Sequence, residues 1–323
     1  MRALVTGATG FVGGHLAEAL RQRGDEVTAL ARTPAKAAAL TAMGVHIVTC
    51  DLHDTGTLER AARGQDVIYH VAGAVAARTE ADFMRANRDG TSNIVSAAEA
   101  AGTARLVFVS SLAAGGPSVR RATAAGGQQP AGPVTAYGRS KLAAEQTVRN
   151  SALAWSIVRP PIVYGPRDRE ILKVFQLARL RIAPVFGDGN QELSAVHAVD
   201  LAGALIAVGT TSATAGNTYV ACHPEVFTTA QFGTAVGAAM GRSVAIVRIP
   251  HAAGRALLWV TEAAATMSRQ ATVLTRDKAH EFFQPAWTGD PGPLTRVTGW
   301  RAGFDLEQGL ADTYRWYRQA GWL

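Results

Sequence analysis

The sequence predicts an α/β protein, a doubly wound parallel sheet with a smaller C-terminal α/β lobe. Residues 2–16, RALVTGATGFVGGHL, run from a short apolar stretch through a glycine-bearing turn into an amphipathic segment. Further strand-like runs alternate with helix-period segments up to residue 159, the pattern of a parallel sheet with right-handed crossovers. The 323 residues suffice for roughly two domains, or for one large unit with an appended lobe.

The opening stretch sets the rest. Ala3 to Val5 reads as a buried strand, with Leu16, Ala19 and Leu20 on one face of the helix that follows. Gly7 permits a tight turn off the strand, Gly10 lets backbone approach a pyrophosphate, and Gly13 lets the helix pack close to the sheet. The helix N-terminus offers free N–H groups and partial positive charge to the phosphates. The spacing is G-x-x-G-x-x-G, one residue longer in its first gap than the usual dinucleotide fingerprint.

A second strand, Glu26 to Ala31, ends at Arg32, with nothing acidic from 28 to 35. At this strand tip an acidic residue would bond the adenosine 2′-hydroxyl, whereas an arginine suits a 2′-phosphate. The expected cofactor is therefore NADP, with NAD as second choice. Val45 to Thr49 is a third strand, leading to Cys50, Asp51 and Leu52. Asp51 is either an acceptor for the adenine amino group or a cap for the helix beginning near Asp54. Residues 54–63 read as that helix. Val67 to Val71 is a fourth strand, after which the small residues Ala72, Gly73 and Ala74 let backbone approach the cofactor. His70 reads as a packed strand residue. A helix over about 81–101 carries Asn87, placed to brace the neighbouring loop. Leu106 to Val109 is a fifth strand ending in Ser110-Ser111, followed by a Gly/Pro/Ala-rich loop at 113–133 expected to lie over the site.

Residues 134–149, VTAYGRSKLAAEQTVR, read as a helix with Tyr137 and Lys141 four apart on one face. A tyrosine, with a pKa of about 10, is a poor base until a neighbouring ammonium favours the phenolate. The lysine can also hold ribose hydroxyls, and a serine from the fifth strand end can bond a substrate oxygen. Such a group delivers a proton to a carbonyl oxygen while hydride reaches carbon, or runs the reverse.

Taken together, TGATGFVGGHL, DL at 51–52, VSS at 109–111, YGRSK at 137–141 and RPPIVYGPRD at 159–168 resemble the extended short-chain dehydrogenase/reductases, in order and over nearly the full chain. The resemblance implies a Rossmann domain over 1–165, with 194–215 returning to it, and a mainly substrate-binding lobe over 166–323. It implies Tyr137 as acid/base, Lys141 as its partner and ribose ligand, and Ser111, rather than Ser110, as the substrate-orienting hydroxyl. It places the dinucleotide along Gly7, Thr9, Gly10, Phe11, Val12 and Gly13, then Arg32, Asp51, Leu52, Val71, Ala72 and Gly73. The nicotinamide end falls to Tyr137, Lys141, Pro160, Ile162 and Val163.

A sixth strand, 155–159, stops at Arg159-Pro160-Pro161. Beyond it lie Arg167, Arg169, Arg179 and Arg181 near a helix, then SAVHAVD at 194–200, where Asp200 is expected to cap a helix over 200–209 and His197 to be hydrogen-bonded. Residues 217–323 are expected to supply a strand at 218–221, a helix begun by Thr228 or Thr229, a strand around 244–248, and alanine-rich helix from 252. An amphipathic final helix packs Tyr314, Trp316 and Tyr317.

Two departures weigh against a nucleotide-sugar substrate. Leu193 stands where such relatives carry a diphosphate-gripping arginine, and Pro161-Ile162 where they carry an asparagine. RPPIVYGP instead resembles the branch of 3β-hydroxysteroid dehydrogenases and dihydroflavonol reductases. The expectation is a Ser-Tyr-Lys oxidoreductase acting on a ketone or secondary alcohol of a hydrophobic small molecule. The alternatives are a nucleotide-sugar epimerase/dehydratase and a non-catalytic NADP-sensing binding protein.

Composition fits this picture, with 48% apolar and 18% charged residues. Cys50 and Cys222 are too few for a disulfide framework. With a strand beginning at residue 2 and no run of about 18 apolar residues, a cytoplasmic chain without a membrane span is expected. The net charge of +7 is spread over scattered residues with only short pairs such as Arg120-Arg121, so no nucleic-acid partner is expected. No metal is implied, and the resemblance suggests a homodimer.

Overall fold

A computed structural model describes residues 1–119, 132–267, 272 and 275–323. Its centre is a seven-stranded parallel sheet. The elements follow the alternation in the sequence: β1 (Arg2–Thr6), α1 (Phe11–Gln22), β2 (Glu26–Ala31), α2 (Ala38–Ala42), β3 (His46–Thr49), α3 (Thr55–Ala62) and β4 (Val67–His70). The long helix comes next, as α4 (Glu80–Phe83) and α5 (Gly90–Ala100) joined by a π-helical segment, Met84–Asp89. Then come β5 (Arg105–Val109), α6 (Ala136–Arg149) and β6 (Ala154–Arg159). The predicted loop over 113–133 falls partly outside the described residues, as does the Arg120-Arg121 pair.

The remaining elements are β7 (Ile162–Tyr164), α7 (Glu170–Arg179), β8 (Ile182–Phe186), β9 (Glu192–Leu193), β10 (Ala195–His197), α8 (Ala198–Thr210), β11 (Asn217–Val220), β12 (Phe227–Thr228), α9 (Thr229–Ala239) and β13 (Ala245–Ile249). They end with α10 (His251–Met267), α11 (Arg276–Phe282), β14 (Ala286–Trp287), α12 (Gly292–Thr298) and α13 (Leu306–Gln319).

The strand order is β3-β2-β1-β4-β5-β6-β11. The chain leaves β1 toward one edge and β4 toward the other, so a crevice opens at their carboxyl ends, where ligands of such sheets bind. β11 was expected in the C-terminal lobe but pairs with β6 as the seventh strand. Its Tyr219 is buried in the main core.

Both sheet faces are covered. On one, Leu16, Ala17 and Leu20 of α1 meet Leu201, Ala204, Leu205 and Val208 of α8. On the other, Leu58, Ile94, Ala98, Ala144 and Val148 pack over Leu4, Ile68, Leu106, Phe108 and Ile157. Sheet strands buried on both faces read as continuous apolar runs, which is why LVFV and VIY were legible. A third cluster, with Tyr164, Phe175, Leu193, Phe227, Leu310 and Tyr317, forms the core of the C-terminal lobe and takes in the aromatic face of α13.

Two expectations around α8 are corrected. Asp200 lies in its first turn but does not cap it; the carboxylate accepts from the Phe304 amide at 2.9 Å and ties down the approach to α13. His197 is fully buried with no hydrogen bond at either ring nitrogen. It packs 4.2 Å from the Phe304 ring, with Asp312 3.6 Å away. Burial pulls its pKa down to about 4, which keeps the imidazole neutral among aromatics.

An ion cluster around a buried carboxylate anchors α6. Glu145, with no exposure, receives both ends of the Arg159 guanidinium at 2.7 Å, Arg149 at 2.9 Å, and the Ser110 hydroxyl at 2.6 Å. Removing one partner of a buried pair leaves the other uncompensated and costs several kcal/mol. Glu145→Ala should therefore destabilise the protein by roughly 3 kcal/mol, read as a lower urea midpoint with an unchanged m-value.

Candidate active site

The glycine turn is built by contact as much as by conformation. Gly7 has φ +73°, and a Cβ there would lie 2.7 Å from the Ala72 nitrogen in the loop after β4. A Cβ on Gly13 would lie 2.3 Å from the Gly7 carbonyl oxygen. Gly10 is different, since its nearest neighbour would be the Gly7 oxygen at 3.1 Å. It is exposed and forms the N-cap of α1. No side chain caps that helix, and no acidic residue lies in its first turn. A helix end with uncapped amides beside an exposed glycine is a built anion cradle, and a dinucleotide diphosphate fits it.

Thr6, His70 and Thr91 join the turn to the rest of the crevice. The Thr91 hydroxyl donates to the Asn87 carbonyl at 2.6 Å, so its oxygen must accept from His70 Nε2 at 3.0 Å. His70 Nδ1 then accepts from the Thr6 hydroxyl at 2.7 Å, and Thr6 Oγ1 accepts from the Ala72 amide at 3.0 Å. Burial pulls the His70 pKa down to about 3, consistent with a neutral tautomer locked in place. His70 is thus a strand-packing residue, as its position suggested.

Asn87, in the π segment, holds both the loop and the helix. Its carbonyl oxygen accepts from the Ala74 amide at 2.7 Å, and its nitrogen donates to the Ala74 carbonyl at 3.0 Å and to Ser140 at 2.9 Å. A π-helical bulge of this kind commonly marks a functional segment. A Cβ on Gly73 would lie 3.0 Å from the Asn87 oxygen and 3.6 Å from the Lys141 nitrogen. The loop after β4 and the lysine of α6 are therefore neighbours.

Arg32 stands exposed at the tip of β2. Asp51 is exposed beyond β3, and its carboxylate accepts from the His53 amide at 3.0 Å. The cap of α3 is Asp54, so the capping alternative for Asp51 is excluded. Leu52 packs toward Gly90, and its carbonyl is held by Asn93. Thr9 is exposed, while Phe11, Val12, Val71, Ile162 and Val163 are half-buried and Pro160 is buried.

Tyr137 and Ser111 come together. The Ser111 oxygen accepts from the Ala113 amide at 3.2 Å, and its side chain faces the Tyr137 phenol, where it favours the ionised form. Ser110 is turned away into Glu145. The two adjacent serines are thus sorted by the fold. Their approach to α6 depends on Gly138, where a Cβ would lie 2.5 Å from the Ala113 carbonyl oxygen.

The tyrosine's acidity differs from the expectation. Burial pushes its phenol up to about 12, against the opposing hydrogen bond from Ser111 and with Glu281 adding to the rise. The Lys141 ammonium, four residues on, donates to the Val109 carbonyl at 2.7 Å and lies 4.4 Å from the centre of the Phe108 ring. Its own pKa is pulled down to about 8 by burial, with Glu145 opposing. The ammonium is turned to the Val109 carbonyl, and desolvation sets the phenol's acidity.

Residues from α11, more than a hundred positions away, were missed. Asp277 accepts from the Ala136 amide at 2.9 Å, and Glu281 accepts from the Thr135 hydroxyl at 2.7 Å. Thr135 caps α6, so two carboxylates of the C-terminal lobe sit at the N-terminus of the helix bearing Tyr137. Lys278, paired with Glu281, lies 5.5 Å from the centre of the Tyr137 ring. Gln191 holds α11 from the other end, its amide donating to the carbonyls of Glu281, Phe282 and Gln284. Nothing in the sequence linked these segments.

The fold and crevice define a dinucleotide-binding α/β enzyme. The model of the NAD dependent epimerase/dehydratase family matches residues 3–222, and the chain belongs to that family. It is an NAD(P)-dependent dehydrogenase/reductase of the extended short-chain type. A ceramide reductase of Caulobacter vibrioides is 34% identical over 320 residues, 99% of this chain and 95% of that protein. A 4-hydroxy-2-methyl-3-oxo-4-farnesyl-3,4-dihydroquinoline-1-oxide ketoreductase of Stigmatella aurantiaca is 35% identical over 179 residues, 53% of each chain. Among solved structures, a Thermus thermophilus UDP-glucose 4-epimerase in complex with NAD is similar in fold. Its TM-score is 0.79 at 23% identity, with 99% of this chain and 100% of that chain covered.

Gly138→Ala should lift α6 off the turn after β5 and separate Tyr137 from Ser111. The expected result is a drop in turnover of at least about tenfold, since small misplacements of reacting groups are costly, with far-UV circular dichroism unchanged.

Proposed function

We propose that the chain reduces a ketone on a hydrophobic small molecule, or oxidises the matching secondary alcohol, with NADP preferred over NAD. The observation that carries this reading is the Ser111–Tyr137 hydroxyl pair at the carboxyl end of β5, with Lys141 buried behind the loop after β4.

The cofactor would lie with its diphosphate on Gly10, Phe11, Val12 and Gly13, its adenosine phosphate toward Arg32, and its nicotinamide toward Pro160, Ile162 and Val163. When bound, it supplies or accepts the hydride. The residues of the chain handle the oxygen and its proton. Ser111 orients the substrate oxygen through its hydroxyl. Tyr137 gives its proton to that oxygen as negative charge develops there, and a phenol held protonated by burial suits the reductive direction. Lys141 stabilises the phenolate left behind and can hold the ribose hydroxyls.

Arg32 carries the preference for NADP, because an exposed guanidinium can pair with a 2′-phosphate. The full-length resemblance to a ceramide reductase supports a hydrophobic ketone. The nucleotide-sugar alternative is disfavoured by Leu193, which is buried in the lobe core and offers no cation. Arg167 is engaged by Glu18 at 2.9 Å and His15 at 2.8 Å.

The decisive experiment is NADPH oxidation with a panel of long-chain ketones beside UDP- and GDP-sugars. Net cofactor oxidation with ketones is expected. Sugar turnover with no net cofactor change would assign an epimerase, and cofactor binding with no turnover at all would leave a sensor. Tyr137→Phe should lower turnover by about 10²–10⁴-fold while the cofactor dissociation constant stays within about threefold, the expectation for a proton donor outside the diphosphate cradle. Arg32→Asp should move the preference from NADP to NAD, measured as the ratio of kcat/KM values. The reduction rate should fall as pH rises through about 8, where Lys141 loses its proton, and a flat profile to pH 10 would remove Lys141 from the step.

A further inference from the structure

α10 is exposed over an apolar face. Trp259, Val260 and Leu257 are 55%, 54% and 47% exposed, and Ala252, Ala253 and Ala256 beside them are exposed as well. At 100° per residue these positions span a continuous arc of roughly 160° without a charge. The opposite side is well seated: Leu258 is buried, and a Cβ on Gly254 would lie 2.9 Å from the rings of both Phe186 and Phe283. Val247, 44% exposed, pairs with Pro184, which lies on the same strand face as Phe186. The apolar surface thus continues from the helix onto the small sheet. Among the described residues nothing covers it.

The cations near this face are Arg255 on α10, exposed with its guanidinium 5.9 Å from the centre of the Phe283 ring, and Arg248 on β13, exposed and donating to the Asp188 carbonyl at 3.0 Å. The acidic residue of the helix, Glu262, is engaged by the Arg276 amide at 2.7 Å and its guanidinium at 3.2 Å. A half-exposed tryptophan with leucine and valine, rimmed by arginines, is the chemistry of a helix that lies in a membrane interface. The face is also joined to the site. The buried side of α10 rests on the Phe283 end of α11, with His251 stacked 4.3 Å from the Phe283 ring. α11 in turn carries Lys278, Asp277 and Glu281 against the tyrosine helix.

We propose that the exposed face of α10 docks the enzyme on an anionic lipid bilayer, setting the α11 side of the active site toward the membrane that holds its substrate. The purpose assigned to the docking rests on the reading of the substrate as a hydrophobic ketone; the docking itself is measured without turnover.

The test is flotation of the full chain with phosphatidylcholine vesicles prepared with and without phosphatidylglycerol. Flotation with the anionic vesicles, weakened by added salt, is expected. The triple variant Leu257→Ser, Trp259→Ser, Val260→Ser should lower the bound fraction at least about tenfold, the loss of three buried apolar side chains. Arg255→Glu should lower it on anionic vesicles with an unchanged circular dichroism spectrum. Both variants should keep the wild-type rate on a water-soluble ketone without vesicles. Wild-type protein that floats with neither vesicle overturns the proposal, as does a triple variant that floats like wild type. A triple variant that turns a dimer into a monomer on size exclusion, from a wild type that does not float, assigns the face to a second copy and also overturns it. Flotation without turnover of any ketone would sink the reductase reading and leave the docking standing.

Discussion

The arrangement depends on how α6 is seated against the carboxyl end of β5. Three contacts set that seat. Gly138 lets the helix backbone approach Ala113, Lys141 reaches the Val109 carbonyl, and the fully buried Glu145 gathers Ser110, Arg149 and Arg159. All three lie on one face of one helix, within seven residues, and each grips a different part of the strand end. That leaves Ser111 as the serine able to meet Tyr137, because Ser110 is already committed to the carboxylate.

The second constraint is the reversal of strand order between β1 and β4. It makes the crevice, and the Thr6–His70–Thr91 chain holds its two lips in register. The network is fully satisfied and buried, so each member has a single arrangement; a polar chain of this kind rigidifies what it joins. Asn87 extends it to α6 through Ser140. The glycine turn after β1, the loop beside Lys141 and the tyrosine helix therefore form one rigid frame. The C-terminal lobe adds α11, whose carboxylates sit at the start of α6 and whose Lys278 lies beside the tyrosine ring.

Much of this was legible because it is local. Strands buried on both faces read as apolar runs, and the turn from β1 into α1 read as glycines at set positions. Tyr137 and Lys141 read as neighbours on a helix face. Asn87 and His70 behave as their positions suggested. The misreadings share a cause. Asp200 was taken for a cap because it stands near a helix start, yet its partner is an amide a hundred residues on. His197 was expected to find a hydrogen bond and was packed among aromatics instead. β11 looked like part of the outer lobe and completes the central sheet. In each case the partner is remote in sequence.

By itself the sequence determined the sheet's alternation, the glycine turn and the spacing of tyrosine and lysine, since these follow from periodicity and from what glycine, proline and a helical turn permit. The tertiary structure decided that Ser110 is committed to Glu145, that α11 borders the phenol, and that burial raises the phenol's pKa despite a lysine one turn away. Those outcomes turn on desolvation and on contacts between distant segments, and neither has a signature in the order of residues along the chain.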